Sequence, residues 1–529
     1  MIRNIVLPIA FLAIAALYAC GDSQPDASID NADANLQIVA IEKDGIRWFK
    51  GSVDEAFDAA RDQQKPVFLY WGEEWCPFCN RLETTVFTRD EFIALSHDFI
   101  ALYLGTDIEE KIQYGDRFDI RGFPTVIVFD SDGNVLTRIA GGTDIEQYAR
   151  VLETTLGKVR PVGDLIRSVQ SGEELTPGEW AMLANYEWLY EPGNALEEHA
   201  DMQAVLKLLS DKVPDDQAGV KHQLTMLAFS AWLADDDRDM TLVAAYQDYL
   251  RQVMADDALM RESLGDIARG ADKIIKLVIP VEQQAEVRDR IFHEINGALE
   301  DPATVPLERI ELLMGWLKVS TAGLGEEDTL SDEQLEWVTQ QAEAARQELP
   351  KEQLHSGLYF LSRIYSQTGL IDEARDVSRQ GIDETQAPYY FMIGLARLEK
   401  REGNLDEALA WYEKAWEASR GPRTRVRWGS VYLDSLVELS PDDIPAIRDA
   451  GLQLVAEIGD QDNWQEYYSR TISRISDSLL EWSEIAESAE RRMALDAIRT
   501  KMQTQCAKAE SANKELVTCI NFLVRAGSA

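Results

Sequence analysis

Residues 71–81 read WGEEWCPFCNR and hold two of the five cysteines in a chain of 529 residues. The run follows Pro66–Trp71 (PVFLYW), an apolar stretch of buried-strand character, and breaks at Gly72. A helix opening at the cysteines places Cys76 at its N-terminus, where unpaired N–H groups and the positive end of the dipole favour a thiolate. The thiolate is the attacking species in thiol–disulfide exchange. Cys79 lies one turn on, on the same face, where it can resolve a mixed disulfide. Pro77 suits the first turn, because its missing N–H has no partner to lose there. Zinc is a poor fit, since a structural site needs four ligands. The next cysteine is Cys506, and His97, His199, His222, His293 and His355 show no paired spacing. A permanent staple across two residues would remove little entropy from the unfolded chain. Reversible redox chemistry is therefore the expectation, with no metal and no cofactor.

Outward from this stretch, short strands and helices alternate over 46–158. IRWFK (46–50) reads as a strand, and Ser52 with Glu55 forms a capping box that opens a helix to about Gln63. Thr88 with Glu91 predicts a further short helix, FIALYLG (99–105) a second buried strand, and a helix follows from about Ile108. TVIVFD (125–130) and VLTRIAG (135–141) flank the turn Ser131-Asp132-Gly133-Asn134, and Thr143 with Glu146 caps a closing helix. The predicted order is βαβαβαββα, a compact α/β domain.

Trp75-Cys76-Pro77-Phe78-Cys79 after a buried strand, and Gly122-Phe123-Pro124-Thr125 just before another, resemble the thioredoxin superfamily. Lys65–Phe92 is most similar to the periplasmic thioredoxin-like domain of bacterial thiol:disulfide interchange proteins. The resemblance covers roughly residues 45–158, under a quarter of the chain. It implies a redox-active disulfide between Cys76 and Cys79, and a cis Pro124 facing Cys76. It also implies that the Phe123 backbone, Trp75, Pro77 and Phe78 position the substrate. The chain departs from the family at Tyr70, where many members carry a buried aspartate that moves the proton of the resolving thiol. Glu73 and Glu74 are the nearby carboxylates, and their charge opposes a thiolate at Cys76. The Pro-Phe dipeptide leaves the direction of electron flow open.

The balance of 52 Lys+Arg against 93 Asp+Glu gives a formal charge of −41, which sets nucleic acid aside as a partner. The length implies two or more domains. Met1-Ile2-Arg3, the apolar run Ile5–Ala16 and Leu17-Tyr18-Ala19-Cys20-Gly21 resemble a bacterial lipoprotein signal, with Cys20 the lipidated residue. Residues 21–44 read as an acidic tether, its first fifteen residues reaching about 20 Å, before the α/β domain at 45–160. The expected location is the bacterial cell envelope, facing the periplasm and attached to membrane by that lipid alone. Cys506 and Cys519 then remain as a pair. A turn at Ser511-Ala512-Asn513 would let them staple a helical hairpin, worth about 3 kcal/mol in the chain-entropy model.

From 161 to 526 the pattern is helical. Gly369-Leu370-Ile371-Asp372-Glu373-Ala374 recurs as Gly403-Asn404-Leu405-Asp406-Glu407-Ala408, an offset of 34 that is the tetratricopeptide period. The region reads as an all-α solenoid, clearest over 354–420. The repeat pattern places Tyr359, Arg363, Ile393, Arg397 and Arg401 on a concave groove, with Arg427 in the next helix. Arginine there suits an acidic peptide or a carboxylate terminus. The function expected is thiol:disulfide exchange with protein clients, a membrane redox partner, and a protein ligand for the repeats. The alternative is a non-enzymatic scaffold that uses both folds as binding modules.

Overall fold

The computed structural model describes residues 40–523 apart from 44, 74–75, 106–113, 116, 119, 121, 140–144, 158, 190–194, 197–199, 323–328, 460–468, 486–487 and 510–521. The signal, Cys20, most of the tether, Glu74, Trp75, Cys519, the start of the helix expected at Ile108 and the Thr143 cap lie outside the described residues.

Six strands form one sheet in the order β1-β2-β4-β3-β5-β6: β1 Ala40–Lys43, β2 Ile46–Phe49, β3 Val67–Trp71, β4 Ile100–Leu104, β5 Thr125–Phe129 and β6 Val135–Ile139. β2, β4 and β3 run parallel, β5 runs antiparallel to β3, and β6 runs antiparallel to β5. β1 lies within the stretch read as tether: Ala40–Lys43 pairs antiparallel with β2 and extends the sheet by one edge strand. Alternation along β3 sends Val67, Leu69 and Trp71 to one face and Phe68 and Tyr70 to the other. The first face packs on α1 (Val53–Gln63), whose Ser52–Glu55 capping box forms as expected. On the other face lie α2 (Pro77–Thr85), α3 (Asp90–Ser96) and α4 (Ile145–Thr155). Thr88 does not cap α3. Its hydroxyl donates to Thr84 O, and the cap position falls to Arg89 without a side-chain bond.

The helical region does not start as a separate body. α5 (Val162–Ser171), α6 (Pro177–Ala184), α7 (Met202–Lys212) and α8 (Ala218–Ala234) put Leu165, Trp180, Leu206 and Leu224 into the same core as Phe68, Tyr70 and Cys79. Pro77-type logic recurs at α6, where Pro177 occupies the first turn behind the Thr176–Glu179 capping box. Helices α9 (Val243–Ala255), α10 (Asp257–Lys273), α11 (Gln284–Glu300), α12 (Pro306–Thr321) and α13 (Asp332–Glu348) follow. The repeats are α14 (Leu354–Thr368) with α15 (Ile371–Glu384), then α16 (Tyr389–Arg401) with α17 (Leu405–Ala418). Gly369 and Gly403, at φ +81° and +82°, end the first helix of each pair in the left-handed conformation. Ala374, Ala396 and Ala408 are fully buried where the helices meet. α18 (Pro422–Leu439), α19 (Ile444–Gly459), α20 (Ser469–Ile485) and α21 (Ala489–Ala509) follow among the described residues. Cys506 in α21 is disulfide-bonded. Among the described residues no helix is long and apolar enough to cross a membrane.

Candidate functional site

Cys76 is the N-cap of α2, and its sulfur accepts a hydrogen bond from Cys79 N at 3.2 Å. Pro77 occupies the first helical position, as its fixed φ and missing N–H allow. Both cysteines are free thiols. Both are also buried, Cys76 at 4% exposure and Cys79 at 0%. Burial pushes the Cys79 thiol well above its ordinary range, the bond to Cys76 and the charges of Cys76 and Glu83 add to this, and the Glu73 backbone opposes it. At neutral pH Cys79 is therefore a thiol that must lose a proton before it can attack.

The carboxylate that meets Tyr70 comes from α2 itself. Glu83 stands four residues after Cys79, and its Oε1 accepts from the Tyr70 hydroxyl at 2.8 Å. Tyr70 is buried, stacked on Tyr103 at 5.5 Å between ring centroids. Burial foremost, then the charges of Cys79 and Glu83, raise its phenol. Gly72 makes room for this hydroxyl, since a Cβ there would overlap it. Of the two carboxylates singled out in the sequence, Glu73 is buried with an oxygen beside Gly105 at the end of β4. Glu83 was legible as a residue one helical turn past Cys79. What hid it was that its partner, Tyr70, sits on a strand.

The Phe123–Pro124 bond is cis. Thr125 Oγ1 donates to Gly122 O at 3.1 Å and ties the loop to β5. The Arg423 guanidinium lies 5.8 Å from the Phe123 ring, bringing α18 of the helical region to this loop.

More of the helical region meets α2. Ser356 Oγ lies 2.6 Å from Pro77 O and 2.8 Å from Asn80 Oδ1, its single proton shared between two acceptors. Asn80 Nδ2 donates to Glu352 O at 2.9 Å. Arg81 Nε pairs with Glu311 Oε1 on α12 at 2.5 Å. Phe78 packs edge-on to Tyr359 at 6.4 Å and Phe360 at 5.4 Å. Tyr359 meets Tyr390 at 5.9 Å, and Tyr390 meets Trp428 at 5.2 Å. Arg427 lies 4.9 Å from the Trp428 ring and reaches the Tyr390 hydroxyl at 3.5 Å. Burial raises the Tyr390 phenol, Arg427 opposes this, and Cys76 is among the charges that add to it.

The residues expected to line a groove thus divide. Tyr359 and Arg427 belong to an aromatic wall against the cysteine motif, and Arg363 lies 5.9 Å from the Tyr359 ring. Arg397 is exposed on α16. Arg401 donates to Ser366 O at 2.6 Å. Ile393 corrects the expectation: at 3% exposure it is buried in the C-terminal core with Tyr412 and Trp416. An apolar β-branched side chain gains more from that core than from a wet groove. Ser356, Asn80 and Glu311 carried no sequence signal, because their partners lie hundreds of residues away.

Residues 53–156 match the family model of a thioredoxin-like domain, and 387–421 match that of a tetratricopeptide repeat. Similar curated proteins include the thiol:disulfide interchange protein DsbD of Yersinia pestis, 30% identical over 100 residues. That of Ralstonia nicotianae is 32% identical over 111 residues. These matches cover 18% and 20% of this chain, and the chain spans 17% and 18% of the length of those relatives. A solved DsbH oxidoreductase is similar at 21% identity with a TM-score of 0.20, over 25% of this chain and 96% of that one. Residues 53–156 are a thioredoxin-like domain with thiol:disulfide-interchange similarity, and the mostly helical region that follows contains a tetratricopeptide repeat.

Proposed function

We propose that the protein is a thiol:disulfide oxidoreductase working through the Cys76–Cys79 pair. The observation that carries this reading is the pair itself: two free thiols at a helix N-terminus, the Cys79 N–H donating to the Cys76 sulfur, with the hydrogen-bonded Tyr70 and Glu83 near enough to act on each other and on Cys79 by charge. In the reductive direction the Cys76 thiolate attacks a client disulfide, its S–S bond breaks, and one client thiolate leaves. Cys79 gives its proton through the Tyr70 hydroxyl to Glu83 and attacks the Cys76–client bond. The products are a Cys76–Cys79 disulfide and the second client thiol, two electrons having passed to the client. The oxidative direction is the same sequence reversed. Glu83 thus takes the part of the missing aspartate, and Pro77, Phe78, Phe123 and Pro124 shape the surface the client meets, a role the sequence resemblance extends to Trp75.

The N-terminal sequence supports export and lipidation at Cys20, and the reading accordingly includes a bacterial envelope location and a membrane redox partner. The tetratricopeptide repeat supports a protein ligand for the helical region. The test is trapping. A Cys79→Ala chain expressed in cells should accumulate mixed disulfides that vanish with Cys76→Ser. A wild-type chain that shows no reversible two-electron couple with any dithiol would refute the reading.

A further inference from the structure

We propose that the helical region closes over the redox site, so that the chain exchanges disulfides with short extended peptides in preference to folded proteins. This rests on the exchange reading above and adds a substrate class to it. An attacking sulfur must meet its target in line with the S–S bond, which needs open space in front of Cys76. That sulfur belongs to a residue 4% exposed. The cover is built from several helices of the same chain. Ser356 bonds Pro77 and Asn80, Tyr359 and Phe360 hold Phe78, Arg423 sits on Phe123, and Glu311 pairs with Arg81. These contacts engage both the cysteine motif and the cis-proline loop, the surfaces a client would use. A folded client cannot bring a surface disulfide to Cys76 while they persist.

Room for a thinner client lies alongside. A cavity of about 820 Å³ opens at this seam, bounded by Phe78 and Arg81 of α2 and by α10, α11 and α12. That volume falls within the range of sites that enclose a small ligand. Phe78 is 45% exposed although rings of α14 flank it. It stands two residues from Cys76 and lines the cavity, which brings one wall of the cavity to the cysteine motif. Its walls carry both signs of charge, among them Arg269, Lys318, Glu308 and Glu311. Lys318 has no acidic partner among the described residues, and burial, then Arg269 and Arg363, lower it. A polar extended chain fits such walls better than an apolar tail does.

The experiment uses the full reduced chain and one activated disulfide on two carriers. A cysteine carrying thionitrobenzoate is placed in a short peptide, or in the same sequence within a surface loop of a folded protein, and thiolate release is followed by absorbance. The expected result is at least a hundredfold preference for the peptide. Ser356→Ala and Asn80→Ala loosen the seam and should speed the folded carrier about tenfold. The peptide rate should change less than twofold. Equal rates with the two carriers in the wild-type chain would overturn the inference while leaving the exchange reading standing. A preference unmoved by both variants would overturn the seam as its cause. Silence toward both carriers would overturn the exchange reading and this one with it.

Discussion

Glu83→Gln separates two roles that the same carboxylate can play. Gln keeps the size of the side chain and can still accept from Tyr70, which Glu83 does at 2.8 Å. The substitution removes a charge that raises the Cys79 thiol, and it also removes the proton acceptor. The charge effect favours the thiolate and is worth at most about one pKa unit, or about tenfold in rate. Loss of a positioned base costs about 10²-fold at the low end of general-base effects. That end applies because the proton passes through an intervening hydroxyl. The net expectation is that resolution of the mixed disulfide slows about tenfold at pH 7, with the first attack by Cys76 unchanged. Rapid mixing with an activated disulfide, acid quench and mass detection of the two species gives both rates. Tyr70→Phe should reproduce the slow second step. Faster resolution in Glu83→Gln would refute the relay, leaving Glu83 as a repelling charge and nothing more.

Gly72→Ala forces the Tyr70 hydroxyl from its place and should cost about 1–3 kcal/mol in denaturant melts, with slower resolution as well. Gly381→Ala puts a methyl group into the Phe391 ring between the two repeats and should cost a similar amount, about 1–3 kcal/mol, leaving exchange rates unchanged. Cys79 is raised above its ordinary 9.0, so above that pH the unfolded thiol ionises while the folded one does not. Unfolding then releases a proton, and stability of the reduced chain falls by about 1.4 kcal/mol per pH unit relative to Cys79→Ser. His222 behaves oppositely. Burial lowers it against the pull of Glu262, Asp266 and Asp256, and its ring is bonded to Ser263 and Tyr249. Its contribution is complete above pH 6.5 and drains away as pH falls through the lowered value. Acid melts of His222→Gln against the wild type should show the difference shrinking over that range.

Local rules carried much of the fold. The hydrophobic period of β3, the Ser52–Glu55 box, the turn at 131–134 and the helix-ending glycine of each repeat act over a few residues, so the sequence alone determines them. The same holds for Cys76 at a helix start, because a strand, a glycine break and a proline at the first turn suffice to place it. Three things were decided only in three dimensions. The edge strand at Ala40–Lys43 has an unremarkable composition and becomes a strand by pairing with β2. Glu83 acquires its meaning from Tyr70, which reaches it across the gap between strand and helix. Ile393, placed by the repeat pattern on a groove, is drawn into a core built mostly from α17 to α21. The largest difference concerns the helical region, which the sequence presents as a separate recruiting surface. Packing brings Ser356, Tyr359 and Glu311 onto the helix of the cysteines, through bonds between residues more than two hundred positions apart. No periodicity encodes such a pair, because each partner satisfies its own helix first and meets the other only once both helices are in place.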